Sequence, residues 1–161
     1  MKREIYHYSE MRTPKGPFSV AVDDDGAVAA AAFGGRRALA GRIGEATLVR
    51  GDARTAAARR QIREWFGGRR RRFSVRLAPR GTPFQRRVWA ELERIPFGET
   101  RSYGDLARVL GSSPRAVGRA NATNPICVLL PCHRVVGADG SMTGYAFGED
   151  LKRGLLGMED R

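Results

Sequence analysis

The chain has 161 residues, 42% of them hydrophobic, which is enough for one large domain or two small ones with buried cores. It has no run of eighteen apolar residues, no apolar N-terminal signal segment and only two cysteines, which excludes a membrane-spanning or disulfide-stapled protein and predicts a cytoplasmic one without a membrane partner. The formal net charge of +12 indicates a polyanionic partner, with nucleic acid ahead of an anionic membrane surface.

The charge is distributed unevenly along the chain. Residues 1–81 carry 18 basic and 8 acidic side chains, whereas residues 82–161 carry 11 and 9. If the partner is DNA, the basic half would add non-specific attraction to phosphates while the nearly neutral half recognises the site. The arginine run at 69–72 belongs to the basic half, and a solvated loop explains that run equally well.

The first half is predicted to contain a hairpin, one helix and a further strand. Two short apolar runs at 17–23 and 27–33 flank Asp24-Asp25-Gly26, which is a hairpin signal. Residues 54–66 have helical spacing, and residues 72–77 alternate as a strand does. Proline and glycine cluster at 78–81, so we expect an N-terminal α+β domain at 1–80 and a second domain at 81–161.

The second half is predicted to be mainly helical. Capping residues and apolar spacing predict helices over 83–94, 103–110, 114–123 and 149–158. The middle two are joined by a turn that contains Gly111, and this pair indicates a helix-turn-helix. An apolar strand over 126–130 and a glycine-rich loop over 137–148 complete the prediction.

The second helix of the pair has an unusual composition. Arg115 and Arg119 are its only charged residues, and most of its other residues are small. Small side chains allow the backbone to approach a target closely, which suits the narrow minor groove of DNA. The same composition also suits tight packing against a neighbouring helix.

The main chemical signal is the hexad Pro131-Cys132-His133-Arg134-Val135-Val136, which follows the apolar run. A nucleophilic cysteine needs a thiolate. On an extended segment the ring of His133 would point away from the thiol, so proton transfer would need a local turn or a bridging water. An acid would have to fix the imidazole, with Glu159 and Glu149 as candidates. Taken alone, such a pair is more often a buried cysteine beside a satisfied histidine.

The segments around the hexad resemble a known family. The chain is similar to the O6-alkylguanine-DNA alkyltransferases (methylated-DNA–protein-cysteine methyltransferases) in PFGETRSY at 96–103, RAVG at 115–118, ANATNP at 120–125, PCHRVVG at 131–137, TGY at 143–145 and LKRGLLGMED at 151–160. TPKGPFSVAV at 13–22 looks like the first strand of that family. The resemblance implies an α+β fold, with a ribonuclease-H-like sheet domain followed by a winged helix-turn-helix domain.

The resemblance also implies direct reversal of DNA alkylation. The partner is then double-stranded DNA containing O6-alkylguanine, bound through the minor groove with the damaged base flipped into a pocket. A cysteine thiolate attacks the alkyl carbon, the guanine leaves, and each molecule acts once, as a monomer and without a cofactor. O4-alkylthymine is a second candidate substrate.

The resemblance assigns the chemistry to four residues. Cys132 is the alkyl acceptor, His133 is the base that acts through water, and Glu159 is the acid that orients the histidine. Asn124 braces the turn around the site. A structural ion pair is expected for Arg134.

Contacts with DNA are assigned in the same way. Tyr103 contacts the rotated nucleotide and can donate to the guanine ring, Arg115 fills the gap left in the duplex, and Tyr145 forms a wall of the pocket. Further contacts with DNA or the base are expected at Ala116, Gly118, Ala120, Val135 and Ala146.

The chain departs from the family pattern in two respects. Many members have small residues after the TGY tyrosine, whereas this chain has Ala146-Phe147. The bulk of Phe147 predicts a narrower pocket mouth, so methyl adducts should react well and benzyl-sized ones poorly. Some members hold zinc in the N-terminal domain, but here that domain has no cysteine and only His7, so we expect no metal site.

Three other functions fit parts of the pattern. A non-catalytic sensor of alkylated DNA would lack the cysteine, so Cys132 argues against it. A winged helix protein that only binds DNA would not need a cysteine at the end of a buried strand. A cysteine hydrolase would need a histidine distant in sequence, and only His7 is present.

Overall fold

The structure, a computed structural model, describes residues 4–160. The chain divides into two compact units. The first comprises the described part of Met1–Arg80 together with Pro125–Cys127, and the second comprises Gly81–Asn124 with the described part of Val128–Arg161. The first contains a four-stranded sheet and the second is mainly helical, which confirms the predicted α+β class.

The first unit is built on one mixed sheet. Its strands are β1 (Glu4–Thr13), β2 (Gly16–Val22), β3 (Val28–Phe33) and β4 (Ala46–Arg50), and its helices are α1 (Arg36–Ile43) and α2 (Ala56–Phe66). The strand order is β3-β2-β1-β4, with β1, β2 and β3 antiparallel and β4 parallel to β1. This is the ribonuclease-H-like arrangement that the resemblance implied, and the predicted hairpin is formed by β2 and β3.

Several elements of this unit were not predicted. β1 was not predicted because its sequence is largely polar. Its buried positions include Tyr6, Tyr8 and Met11. The segment 13–22, expected to be the first strand, in fact covers the end of β1, a turn and β2. Neither α1 nor β4 has enough buried apolar residues to give a sequence signal, since each has only one, Leu39 and Leu48.

β3 ends the sheet, yet all six of its residues are buried. Its outer edge is paired by two other segments of the same unit. Val28 donates its N–H to Arg76 O, and Ala31 donates its N–H to Pro125 O at 2.9 Å. Covering an edge strand in this way satisfies its backbone groups and blocks pairing with other chains.

The predicted strand at 72–77 is wrong. The segment makes only an isolated bridge from Leu77 to Val28. The buried side chain of Gln61 explains the difference, because its Oε1 accepts the N–H groups of Ser74 at 2.9 Å and Val75 at 3.3 Å, while its Nε2 donates to the Ser74 hydroxyl. A side chain thus supplies the hydrogen bonds that a strand neighbour would have supplied.

The arginine run at 69–72 begins just after the C-terminus of α2. Arg70 pairs with Glu64 at 3.0 Å, and the guanidinium of Arg69 lies beside Gly67, the C-cap of the helix. Cations near the C-terminal carbonyl groups of a helix are favoured by its dipole. Part of the run therefore stabilises the end of α2.

The second unit confirms the predicted helices. These are α3 (Pro83–Glu93), α4 (Tyr103–Leu110), α5 (Pro114–Ala122) and α6 (Glu149–Glu159), accompanied by a short parallel pair, β5 (Arg101–Ser102) and β6 (Val135–Val136). The side chains of Thr82, Ser102 and Ser113 cap α3, α4 and α5. Gly111 ends α4 in the left-handed region at φ 63°, which turns the chain into α5 and forms the helix-turn-helix.

In residues 4–160, no helix is both long enough and apolar enough to span a bilayer.

The hydrogen bonds of Gln61 should contribute measurably to the free energy of unfolding. Gln61→Leu keeps the side-chain volume but leaves the N–H groups of Ser74 and Val75 without their acceptor, so the free energy of unfolding should fall by about 1–3 kcal/mol. Urea denaturation measures this change. The matched control is Gln85→Leu, which removes only exposed hydrogen bonds, those of the α3 capping box and the one donated to the Thr123 hydroxyl, and should cost less than about 1 kcal/mol. Equal unfolding midpoints for Gln61→Leu and the unmodified chain would contradict this account.

Candidate active site

Cys132 lies on a tight turn, not at the end of an extended strand. A single 3-10 turn spans Cys132–Arg134, with the N–H of Arg134 bonded to Pro131 O at 2.9 Å. The strand predicted over 126–130 is also wrong, because this segment makes isolated bridges, such as that from Ile126 to Ala31, and no strand. Val128 interrupts it at φ 73°, a left-handed conformation that is unfavourable for a β-branched residue and that only the surrounding structure can maintain.

Two asparagines hold this turn. The Nδ2 of Asn124 donates to Leu130 O at 2.8 Å, and the Nδ2 of Asn121 donates to Cys132 O at 3.2 Å. Both side chains are almost fully buried. The bracing position predicted for Asn124 is thus occupied as expected, whereas the contact of Asn121 was not predicted.

His133 and Arg134 bind the same buried carboxylate. Glu159, in the last turn of α6, has its Oε2 2.9 Å from the Nε2 of His133 and 2.7 Å from an Nη of Arg134. Arg134 also donates to Ile95 O at 2.8 Å, and the N–H of Gly98 donates to Glu159 at 3.3 Å. The expected ion pair of Arg134 is present, and of the two candidate acids, Glu159 and Glu149, it is Glu159 that bonds to the histidine.

The surroundings fix the charges of this group. Burial acts to raise the pKa of Glu159, but the hydrogen bonds and charges of His133 and Arg134 outweigh it and lower that pKa to about 2. Burial lowers the pKa of His133, and the nearby Glu159 offsets this only in part. At neutral pH Glu159 is therefore an anion that only accepts hydrogen bonds, and His133 is neutral.

This assignment decides the tautomer of the histidine. Because the Glu159 anion cannot donate, the hydrogen of the neutral ring must be on Nε2. Nδ1 then carries the lone pair and is the basic nitrogen. The base role predicted for His133 requires such a nitrogen.

Lys152 was missed by the sequence prediction. It is fully buried on α6, with its Nζ 5.7 Å from the ring centre of Tyr103, 5.9 Å from that of Tyr145 and 3.4 Å from Thr143 O. Burial lowers its pKa, and the nearby Cys132 opposes that effect. Lys152, Leu155 and Glu159 have the i, i+3, i+7 spacing of one helix face, so the sequence did hold a signal for its burial.

A cleft of about 520 Å³ lies beside Tyr103. Three predicted DNA-binding residues line it, together with five others; the eight are Tyr103, Pro114, Arg115, Gly118, Arg119, Ala122, Thr143 and Gly144. The hydroxyl of Tyr103 donates to Thr143 O at 2.9 Å. Gly144 has a φ of 86°, which side chains rarely adopt, and a Cβ at this position would lie only 2.8 Å from the Tyr103 hydroxyl. A larger residue at this position would therefore displace the tyrosine hydroxyl.

The other predicted contact residues lie elsewhere. Ala120 is buried, and its carbonyl accepts the indole N–H of Trp89 at 2.8 Å, so it packs towards α3. Val135 is buried in β6, and the backbone N–H of Ala116 is taken by the Ser113 cap. In the loop, the predicted wall residue Tyr145 is buried and Ala146 is exposed.

Phe147 is half-buried against Tyr145, with ring centres 5.8 Å apart and the planes at 64°. It therefore lies beside the aromatic wall that the sequence predicted. Among residues 4–160, no three His, Cys, Asp or Glu side chains are close enough together to bind a metal ion.

The chain is similar to known proteins along most of its length. Residues 83–161 match the family model described as 6-O-methylguanine DNA methyltransferase, DNA binding domain. A methylated-DNA–protein-cysteine methyltransferase of Methanosarcina acetivorans is 41% identical over 155 residues, which is 95% of this chain and 97% of that protein. The constitutive enzyme of that name from Bacillus subtilis is 49% identical over 107 residues, 65% of each chain.

A solved structure agrees with these matches. The crystal structure of Mycobacterium tuberculosis OGT in complex with DNA is 39% identical in sequence and aligns with a TM-score of 0.83. The alignment covers 96% of this chain and 92% of that one. The similarity thus includes both units.

The low pKa of Glu159 predicts how stability depends on acid. The folded state holds this carboxyl ionised, whereas the unfolded chain protonates it near its ordinary pKa of 4.5, so its contribution is complete above about pH 4.5 and is lost as pH falls towards 2. That contribution is at most about 3 kcal/mol. Glu159→Gln should unfold more easily at pH 7, and its stability deficit should shrink as pH falls through this window.

Denaturation at pH 7, 4 and 3 tests this prediction. Glu149→Gln is the matched control, because it removes an exposed carboxylate from the same helix and should follow the unmodified chain at every pH. A deficit of Glu159→Gln that is constant with pH would show that the Glu159 carboxylate does not contribute through its ionisation.

Proposed function

Since the chain belongs to the methylated-DNA–protein-cysteine methyltransferase family, we propose that it repairs DNA by transferring an alkyl group from O6 of guanine to Cys132. The observation that carries this proposal is the Cys132 turn, in which the acceptor candidate is followed directly by a neutral histidine whose tautomer is fixed by Glu159. The domain at 81–161 is the DNA-binding and acceptor domain, and the domain at 1–80 precedes it. The protein acts in the cytoplasm as a monomer.

The reaction needs a thiolate and a proton donor. The thiol proton of Cys132 passes through water to Nδ1 of His133, and the imidazolium formed is stabilised by the Glu159 anion. Sulfur attacks the alkyl carbon in line, the C–S bond forms as the C–O6 bond breaks, and the bonding electrons leave with the guanine. Tyr103 donates a proton to the guanine ring. The thiol thus loses one proton and the departing guanine gains one.

The positive charge of Lys152 favours the thiolate. A buried cation near a thiol lowers the free energy of the charged form, because little water screens the interaction. The product is a thioether at Cys132. Regenerating the thiol would require breaking its C–S bond, and a thioether sulfur is a poor leaving group. The reaction therefore ends with a modified protein, and each molecule acts once.

DNA binding is assigned to the helix-turn-helix and the cleft. Arg115 and Arg119 are exposed and four residues apart on α5, so both face the same side of the helix and line the cleft with Tyr103. Arg115 enters the duplex from the minor groove and replaces the flipped nucleotide, while Arg119 is placed to contact a phosphate. The small residues of α5 permit this close approach.

Mass spectrometry tests the proposal. Incubation with duplex DNA that contains one O6-methylguanine should add the mass of a single methyl group, and peptide mapping should place it on Cys132. Cys132→Ser should gain no mass, and Cys127→Ser, which changes the other buried cysteine, should react as the unmodified chain does. An unmodified protein that still binds the lesion would instead support a sensor of alkylated DNA.

The Tyr145–Phe147 wall predicts which adducts react. The ring of Phe147 narrows the space beside Tyr145, so O6-benzylguanine should react much more slowly than O6-methylguanine in DNA. Phe147→Gly should raise the benzyl rate by about tenfold or more and change the methyl rate less than about twofold, because a removed aromatic ring opens space without touching the acceptor. Single-turnover rates measure both. Equal benzyl rates for Phe147→Gly and the unmodified chain would show that Phe147 does not limit adduct size.

A further inference from the structure

Helix α2 and the segment that follows it carry a high density of positive charge on the first unit. Residues 59–72 contain seven arginines and a single acidic residue, Glu64. Arg60 and Arg63 are exposed and three residues apart, so they lie on one side of the helix. The opposite side is buried in the unit through Ala58, Gln61, Ile62, Trp65 and Phe66. The basic side of α2 therefore faces solvent.

The stability of the unit explains three of the seven arginines. Arg59 donates from its Nε to the Thr55 hydroxyl at 3.0 Å, and Arg70 pairs with Glu64 at 3.0 Å. The guanidinium of Arg69 lies beside the C-cap of α2, where the helix dipole favours a cation. These contacts hold the start and the end of the helix in place.

Arg60, Arg63 and Arg72 have no such contacts. All three are exposed, and none pairs with a carboxylate in the part of the chain that the structure describes, where Glu64 is already bound to Arg70. The helix dipole favours Arg63 in the last turn, but Arg60 lies further from the helix end and is repelled by Arg63. These three side chains thus present positive charge that an anionic partner would neutralise.

The chemistry of this surface fits the backbone of DNA better than a membrane. Guanidinium groups bind phosphate oxygens through paired hydrogen bonds. A helix that binds a membrane surface inserts its apolar face into the lipid, whereas the apolar face of α2 is buried in its own unit. The exposed large hydrophobic residues of the described chain lie on other elements; they are Ile5, Val49 and Val109.

We infer that Arg60, Arg63 and Arg72 form a second DNA-binding surface, on the first unit, which binds phosphates of duplex DNA whatever the base sequence. This inference rests on the proposed function for the identity of the partner. Phosphate contacts carry no sequence information, but they add affinity for undamaged DNA, along which a lesion must be found. The α2 arginines then contribute to reaching and holding the duplex, and the second unit carries out the reaction.

The variant Arg60→Gln/Arg63→Gln tests this surface, because glutamine keeps the helix propensity and removes both charges. Its affinity for an undamaged duplex should fall by about tenfold at low salt. The slope of log affinity against log salt should fall by about 2, since each phosphate contact releases about one counterion. Fluorescence anisotropy between about 50 and 200 mM salt measures both.

Methyl transfer at saturating DNA should be unaffected. The substitutions remove binding that is equal before and during the reaction, so the single-turnover rate on a saturating O6-methylguanine duplex should stay within about twofold. At limiting DNA the rate should fall in parallel with the affinity. This split separates a DNA-binding surface from damage to the site around Cys132.

Two further variants keep the test decisive. Arg12→Gln/Lys15→Gln is the matched control, because it removes the same charge from exposed positions near the turn between β1 and β2, and it should keep the unmodified salt slope. Arg60→Lys/Arg63→Lys should keep most of the affinity, because lysine also binds phosphate as a cation. If urea denaturation shows that the glutamine pair does not fold, the single variants Arg60→Gln and Arg72→Gln replace it, each lowering the slope by about 1.

The outcomes separate this inference from the proposed function. Equal affinity and salt slope for Arg60→Gln/Arg63→Gln and the unmodified chain, or an equal loss in the control pair, would overturn the second surface. Binding to phosphatidylserine vesicles that is lost in Arg60→Gln/Arg63→Gln, with DNA binding unchanged, would overturn it in favour of a membrane. Binding to an undamaged duplex needs no reaction, so failure of the unmodified chain to accept a methyl group would overturn the proposed function alone.

Discussion

The site depends on one buried carboxylate that two neighbouring residues share. Glu159 is almost without solvent contact, and it would be unfavourable there without the guanidinium of Arg134 and the imidazole of His133. The arginine supplies the charge that keeps the carboxylate ionised. The ionised carboxylate then fixes the histidine in the tautomer whose lone pair is on Nδ1. A contact with the appearance of a structural ion pair thus determines which nitrogen of His133 carries the lone pair.

The fold brings these groups together from segments that are distant in the chain. Glu159 is at the end of α6, and Cys132 and His133 are on a 3-10 turn. Of the two asparagines that hold this turn, Asn121 belongs to α5 and Asn124 follows its C-cap. The turn requires an unfavourable backbone at Val128, and it is maintained by side-chain amides that bind its carbonyl groups. One of these amides, that of Asn121, belongs to α5, the helix that also lines the cleft beside Tyr103.

The sequence predicted the helices of the second unit well and the sheet of the first unit poorly. The starts of three helices could be predicted because capping is a local interaction between adjacent residues. The capping residues are Thr82, Ser102 and Ser113. The prediction of a strand at 72–77 was wrong because backbone N–H groups of this segment bond to the side chain of Gln61, a contact that no local pattern contains. The resemblance located Cys132, His133 and Glu159, whereas the 3-10 turn and the bond from Asn121 to Cys132 O required the structure, because no local pattern contains them. The burial of Lys152 had a signal in the helical spacing of α6 that the prediction did not use.

The central claim is that burial keeps His133 neutral and that Glu159 fixes its hydrogen on Nε2. Nitrogen NMR of the protein labelled at histidine, recorded at pH 7, tests it directly, with His133→Gln used to assign the signals. The account predicts a protonated Nε2 and an unprotonated Nδ1 for His133, and loss of this preference in Glu159→Gln. An Nδ1-protonated ring, or an imidazolium at pH 7, would contradict the account, because neither form could accept the proton of Cys132 at Nδ1.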